Sequence, residues 1–379
     1  MQEDKKNLKV ALLLPTYKIG GAEKVFVELA NNLCDHYDKV DMVTLSNEGP
    51  LKYDLKKLVG QVVLESQSYK VFLKKFIKYM NKECPDIIFT SVYATGLIAI
   101  AARFFSRHKP KIIVGCHNNF TYKVKRPDNI KDKYLLYPLS YALFRFADKI
   151  LCVSHGVADD IRKKLKINKS LISVIYNPVV SVSIDQQAKK ELLHPWFSSE
   201  RNFTTILAVG RLVPQKGFDS LLQGIAIARN SVDIRLVIVG DGPEMNNLKE
   251  IARDLKIDSI VDFAGYEGNP YRYMYRADIF AMSSRWEGLG NTLIEALACG
   301  CFTISTDCMY GPREILDDGK YGMLVPVDDP AAMANALINI VSDPSKKTDK
   351  KELINRSNEF SVSASMGKYI NLIDSTCGR

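Results

Sequence analysis

Two carboxylates, Glu287 and Glu295, stand eight residues apart in RWEGLGNTLIEALACG (residues 285–300), with Gly288 and Gly290 between them. Glycine lets backbone approach a ligand closely. The apolar run that follows has helical spacing and is closed by Gly300. A helix that begins at such a turn offers N–H groups and partial positive charge to an anion, here around Leu289 and Asn291. A carboxylate would repel that anion, so neither acid is suited to hold phosphate. Carboxylates accept hydrogen bonds from hydroxyls instead, and a vicinal diol satisfies both oxygens. Glu295 falls about one turn into the helix, where side chains lean toward the N-terminus, within reach of a ribose. Glu287, in the loop, meets hydroxyls on the other side. Phosphate flanked by two hydroxyl-bearing rings describes a nucleoside-diphosphate sugar. The plainer alternative is that Glu295 complements the helix dipole and Glu287 is merely exposed.

Cations for that phosphate stand after another strand-like run, TTILAVG. Arg211 follows it directly and Lys216 comes five residues later, in GRLVPQKG. A planar fork of donors and a compact ammonium together suit a diphosphate, although a solvated basic loop would read the same. The GDGP turn (residues 240–243) reads as a structural connection with Pro243 at a helix start. In the front half, Gly20 and Gly21 precede a helical stretch. His117 follows the run KIIVGC, as Ser154-His155 follows KILCV and Asn177-Pro178 follows SVIY. A lone Gly-Gly is equally a turn, and a lone histidine equally a satisfied core residue.

These residues need strands to position them. LKVALLL, VDMVTL, DIIFTS, KIIVGC and KILCVS alternate with helical patterns such as EKVFVELANNL and TGLIAIAARFF. That rhythm is that of a doubly wound α/β sheet. It stops after ISVIYNPV and restarts with TTILAVG, IRLVIVGDG, IVDFAGY, DIFAMSS, CFTIST and GMLVPV. The sequence therefore predicts two Rossmann-like domains, residues 1–180 and 203–355, facing across a cleft with one ligand on each wall. Residues 181–202 read as a linker, and 356–379 as a helical tail packing back on the first domain. Ligands of such sheets bind beyond the carboxyl ends of strands, where all the candidate residues lie.

Bulk properties set bounds. A chain of 379 residues with 46% hydrophobic and 25% charged content has the size of two globular domains. It contains no apolar run of membrane-spanning length, and MQEDKKNLKV lacks the apolar core of a secretory signal. Eight cysteines without a C-x-x-C pair read as reduced core residues. The net charge is +9 and unevenly spread: residues 1–190 carry 32 Lys and Arg against 18 Asp and Glu, the remainder 20 against 25. A basic front half suggests an anionic surface as partner. Within it, YKVFLKKFIKYMNK sets lysines around Phe72, Phe76 and Tyr79, with Tyr122 further on. This reads either as an interfacial membrane helix or as an ordinary amphipathic helix with its aromatics in the core. No recognition motif supports nucleic acid as a partner.

EGLGNTLIE resembles the E-x7-E motif of retaining GT-B glycosyltransferases of family 4, and GRLVPQKG resembles that family's basic turn. The resemblance covers essentially the whole chain. It departs from the commoner E-G-F-G or E-G-F-P at Leu289. It implies a metal-independent, retaining transferase using a nucleotide-sugar donor, UDP-linked in this reading, and no cofactor. By that likeness Glu287 contacts the donor sugar, Glu295 the ribose, Arg211 and Lys216 the diphosphate, and Tyr266 the base. Gly20 and Gly21 face phosphate and acceptor, and His117 lies near the reacting sugar. The longer run EGLGNTLIEALACGCFTISTDCMYGPREIL resembles enzymes of bacterial surface-polysaccharide and lipid-linked oligosaccharide assembly, including galactose and N-acetylgalactosamine transferases. The implied acceptor is a lipid-linked or polysaccharide glycan, and the implied place the inner face of the cytoplasmic membrane. Two other readings fit the same pocket: a sugar-nucleotide epimerase, and a non-catalytic membrane-associated binder.

Overall fold

The computed structural model describes residues 5–66, 68–118, 120–121, 137–198 and 201–378. The chain divides into two units, residues 1–178 with 362–379, and residues 179–361.

The first unit is built on a parallel sheet of seven strands. They are β1 (Lys6–Leu14), β2 (Tyr37–Thr44), β3 (Gly60–Val63), β4 (Ile87–Thr90), β5 (Lys111–Cys116), β6 (Lys149–Cys152) and β7 (Ile172–Val174), in the order β3-β2-β1-β4-β5-β6-β7. Helices cover both faces, so the central strands are apolar without alternation: Val10 to Leu14 and Ile87 to Phe89 are all buried. The short edge strand β3, GQVV, has no run long enough to announce itself in the sequence. The order reverses between β1 and its neighbours β2 and β4, which opens a crevice at the carboxyl ends there.

The second unit repeats the plan with six parallel strands: β8 (Thr204–Val209), β9 (Ile234–Val239), β10 (Val261–Gly265), β11 (Ile279–Met282), β12 (Thr303–Thr306) and β13 (Met323–Val325). Their order is β10-β9-β8-β11-β12-β13, with the reversal at β8. Of the stretch 181–202, expected as a linker, residues 181–198 are folded onto this unit. It forms the helix Ser183–Ala188 and a turn at Pro195–Phe197. Asn269 and Arg276 donate to the carbonyls of Gln187 and Ala188 at 2.9 and 3.1 Å, and Phe197 is buried against Tyr273. Its apolar residues are too few for a periodic signal, yet Ile184, Ala188 and Phe197 are buried.

The C-terminal helix Val362–Cys377 belongs to the first unit. Met366, Tyr369, Leu372 and Ile373 recur at helical spacing and enter the core formed by β1, β2 and the helix Gly21–Leu33. Asp374 accepts from Tyr37 Oη at 3.1 Å and pairs with Lys6 at 2.5 Å. The proximity of that carboxylate adds to burial in pushing the Tyr37 pKa far up.

The helix Tyr69–Glu83 decides between the two readings of YKVFLKKFIKYMNK. Phe72, Phe76 and Tyr79 form a stacked row facing the core, and Tyr79 Oη donates to the buried Asp41 carboxylate at 2.8 Å. These three rings are therefore core residues, while Lys70, Lys74, Lys75, Lys78 and Lys82 face outward. Tyr122 lies outside the described residues. All eight cysteines are free, and six are buried. Among the described residues no helix is long and apolar enough to cross a membrane.

Candidate active site

In the second unit three strand-end loops converge. The loop after β11 runs from Ser283 to Gly290 and leads into the helix Asn291–Ala298. Residues 214–217 follow β8, and residues 307–311 follow β12. Arg285 N donates to Gln215 O at 2.8 Å, Gln215 Nε2 to Trp286 O at 2.8 Å, and Ser283 Oγ to Lys216 O at 2.8 Å. On the other side Glu287 N donates to Met309 O at 2.8 Å, and Tyr310 N donates back to Glu287 O at 3.2 Å. Such close stitching needs Gly217: it lies at φ 60°, and a Cβ there would sit 2.2 Å from Ser283 O. Gly290, at φ 105°, makes the left-handed turn that starts the helix.

Glu287 stands at the centre. Its Oε1 pairs with Lys216 Nζ at 2.5 Å and accepts from Ser284 Oγ at 2.7 Å, in largely buried surroundings. Thr306 Oγ1 fixes the Ser284 carbonyl at 2.6 Å. Arg285 braces the loop from behind, pairing with Asp219 and Asp328 at 2.7 Å each and donating to Pro214 O at 2.7 Å. Arg211 differs in kind. Its side chain is exposed, with no ion pair or hydrogen bond among the described residues. Its turn is held by the neighbouring GDGP segment through Leu212, whose N–H donates to Asp241 O at 2.9 Å and whose carbonyl accepts from Glu244 N at 3.1 Å. That segment is thus structural, as expected, although the helix begins at Met245 and not at Pro243.

Glu295, half-buried in the first turns of the helix, accepts from Tyr271 Oη at 3.3 Å, and its charge is the main cause of a strongly raised Tyr271 pKa. Leu289 is buried, so only its backbone is available to a ligand; Gly288 is buried, and Asn291 is half-buried at the helix start. Tyr266 follows β10 and is exposed. Sequence reasoning passed over Ser284, Arg285 and Tyr271, the residues that orient the two acids and their loop. Ser284 carried a signal, a small hydroxyl directly at a strand end; Arg285 and Tyr271 are partners only through the fold.

In the first unit, Gly20 caps the helix Gly21–Leu33 in extended backbone. The Glu23 carboxylate folds back over it, 2.2 Å from where a Cβ would stand. His117 follows β5 and is buried, edge-on to Phe26 with ring centroids 5.7 Å apart. Burial pushes its pKa down to about 4, with the Asn177 side chain partly opposing. Both ring nitrogens lack a well-formed hydrogen bond among the described residues. It is a neutral imidazole at pH 7. Among the described residues no three His, Cys, Asp or Glu side chains gather as a metal site.

Two Rossmann-like units with strand-end sites define the GT-B class of protein. Residues 192–358 match the family model described as glycosyl transferases group 1, and residues 19–181 match that of glycosyltransferase family 4. The chain belongs to the GT-B glycosyltransferases of the family 4 type. Over 364 residues it is 28% identical to the Campylobacter jejuni N-acetylgalactosamine-N,N'-diacetylbacillosaminyl-diphospho-undecaprenol 4-alpha-N-acetylgalactosaminyltransferase, covering 93% of this chain and 95% of that one. It is 26% identical to the lipopolysaccharide core biosynthesis glycosyltransferase LpsE of Rhizobium meliloti, covering 94% and 97%. The fold matches Anabaena HepE, solved in complex with UDP and glucose, with a TM-score of 0.81 at 19% identity over 97% of this chain and 100% of that one.

Proposed function

We propose that this glycosyltransferase moves a hexose or N-acetylhexosamine from a UDP-sugar to a lipid-linked or polysaccharide glycan in bacterial surface-glycan assembly, with retention at the anomeric carbon. The observation that carries the reading is the Lys216–Glu287 pair at 2.5 Å, on the same strand-end loop as an exposed Arg211 that has no ion pair or side-chain hydrogen bond among the described residues. A cation left open at a strand end awaits an anion. When a diphosphate enters, Arg211 and Lys216 share it, and the Glu287 oxygens turn to sugar hydroxyls. Two donors already occupy Glu287 Oε1. That favours an acceptor of hydrogen bonds over a nucleophile, and it fits a front-face displacement in which the departing diphosphate takes the acceptor's proton. Glu295, near the helix start, serves the ribose, Tyr266 the base, and Gly288 to Asn291 supply backbone donors.

The two cations stabilise the leaving group, so no metal is required and EDTA leaves the rate unchanged. His117 and the Gly20-Gly21 turn serve phosphate, donor sugar or acceptor, His117 as a neutral hydrogen-bonding ring. Galactose or N-acetylgalactosamine is the favoured sugar, the second on the strength of the Campylobacter relative's name. The same name supports an undecaprenyl-diphosphate-linked acceptor. The exposed lysines of the helix Tyr69–Glu83 support peripheral association with an anionic membrane face, the cytoplasmic one in this reading.

The test is an assay with UDP-N-acetylgalactosamine or UDP-galactose and a lipid-linked glycan acceptor, with the product's anomeric configuration read by NMR. An α-linked product from the α-linked donor supports the proposal. A β-linked product overturns retention. A donor epimerised without acceptor overturns transfer altogether.

A further inference from the structure

The aromatic stripe once open to a membrane reading is buried, but other apolar side chains of the first unit are not. The helix Tyr93–Phe105 ends in Phe104 and Phe105, which are 53% and 73% exposed. Phe104 stands edge-on to Phe146, 46% exposed, with ring centroids 5.4 Å apart. Nothing in local geometry requires large rings here, because Arg103 already ties the two segments together. Its guanidinium donates to the Phe146 carbonyl and pairs with Asp148 at 2.5 Å. Three phenylalanines at one corner, each about half-exposed or more, present an apolar patch that water opposes.

The charge around the patch is one-sided. Residues 103–111 and 139–149 hold six Lys and Arg (Arg103, Arg107, Lys109, Lys111, Arg145, Lys149) and one acid, Asp148. Asp148 is already saturated by Arg103, by Lys111 at 3.0 Å and by the Ile112 amide at 2.9 Å, which together hold its pKa down although burial opposes them. Among the described residues the remaining cations have no ion pair at this corner, and Arg107, Lys109 and Arg145 are exposed. Lys109 donates to the helix-end carbonyls of Arg103 and Phe104 at 2.5 and 3.1 Å, which keeps a positive charge beside the rings.

We infer that the Phe104–Phe105–Phe146 corner is where this chain docks on an anionic lipid surface, the rings entering the acyl boundary while Arg107, Lys109 and Arg145 meet headgroup phosphates. Apolar rings rimmed by exposed cations complement a surface that is apolar below and anionic above. The inference deepens the membrane association proposed above and rests on it, but it moves the seat of contact from the lysine face of Tyr69–Glu83 to this corner.

The test is sedimentation of the full chain with phosphatidylglycerol–phosphatidylcholine vesicles, against phosphatidylcholine alone. The proteins compared are wild type, the double variant Phe104→Ser with Phe105→Ser, and the triple variant Lys74→Gln, Lys75→Gln, Lys78→Gln. Wild type should partition to the anionic vesicles only, and less so as salt rises. Losing the two rings should weaken partition by about tenfold or more per ring, with the UDP-induced thermal shift unchanged. The lysine variant should retain most of its binding. If the ring variant partitions like wild type while the lysine variant does not, the corner is wrong and the membrane reading stands. If wild type binds no anionic vesicle, both fail.

Discussion

Lys216 and Glu287 neutralise one another in the free protein, and that pairing separates their structural role from their chemical one. Removing one partner strands a buried charge, at a cost of about 3–5 kcal/mol. Lys216→Ala should therefore lower the melting temperature as well as activity. The double variant Lys216→Met with Glu287→Gln should recover most of the stability in a denaturant titration, yet remain at least a hundredfold down in kcat/KM. Recovery of activity along with stability would show that the pair only holds the loop. His117 makes a different prediction. Its pKa is about 4 in the fold and about 6.5 in an unfolded chain. Between those values the unfolded state binds the proton and the folded state does not, so stability falls as pH drops from about 6.5 to 4, by up to about 3 kcal/mol. His117→Asn should lose that part of the pH dependence in parallel urea titrations. At this scale the positions of the candidate residues beyond strand ends of the second unit were legible in the sequence. Glu287, Glu295, Arg211 and Lys216 could be picked out because a strand end and a glycine turn announce themselves locally. That Glu287 spends the free state bound to Lys216, 71 residues away, could not be read from spacing.

Among the elements, the C-terminal helix Val362–Cys377 and the helix Tyr69–Glu83 show why periodicity alone is ambiguous. Both carry an apolar stripe, and the stripe says only that something covers it. For Tyr69–Glu83 the cover is the core of its own unit, fixed by Tyr79 donating to the buried Asp41. For the tail it is the core beside β1 and β2, reached by a chain that returns after passing through the whole second unit. Tyr369 is fully buried there, and its hydroxyl has no hydrogen-bond partner among the described residues. Tyr369→Phe should be neutral or stabilising, since it removes an unsatisfied polar group, whereas Tyr369→Ala should cost about 3–5 kcal/mol. Thermal unfolding of the two variants checks both, and a Phe variant as damaged as Ala would contradict this packing. The strands were legible because parallel sheets buried on both faces give unbroken apolar runs. Strand β3 was not, because its run of four residues is too short, nor was the stretch after residue 180, whose partners Asn269 and Arg276 lie some eighty residues on.

For the whole molecule, the two sheets account for the length, the buried cysteines and the absence of strand alternation in one stroke. Family membership then follows from two matched regions that together take in most of the chain. Charge asymmetry is the property that the fold alone does not explain, and the exposed rings and cations of the first unit give it a use. At this scale dialysis against EDTA should leave the transfer rate unchanged, since in the proposed mechanism Arg211 and Lys216 carry the leaving group's charge. A rate that collapses and returns on adding a divalent cation would remove that part of the mechanism. The central claim, a diphosphate cradled by those two cations with an acid serving the sugar at each end, is met most directly by a crystal structure with UDP-N-acetylgalactosamine bound. It should show phosphate oxygens within about 3 Å of Arg211 and Lys216, Glu287 on sugar hydroxyls and Glu295 on the ribose. A nucleotide bound elsewhere, with the Lys216–Glu287 pair undisturbed, would contradict it.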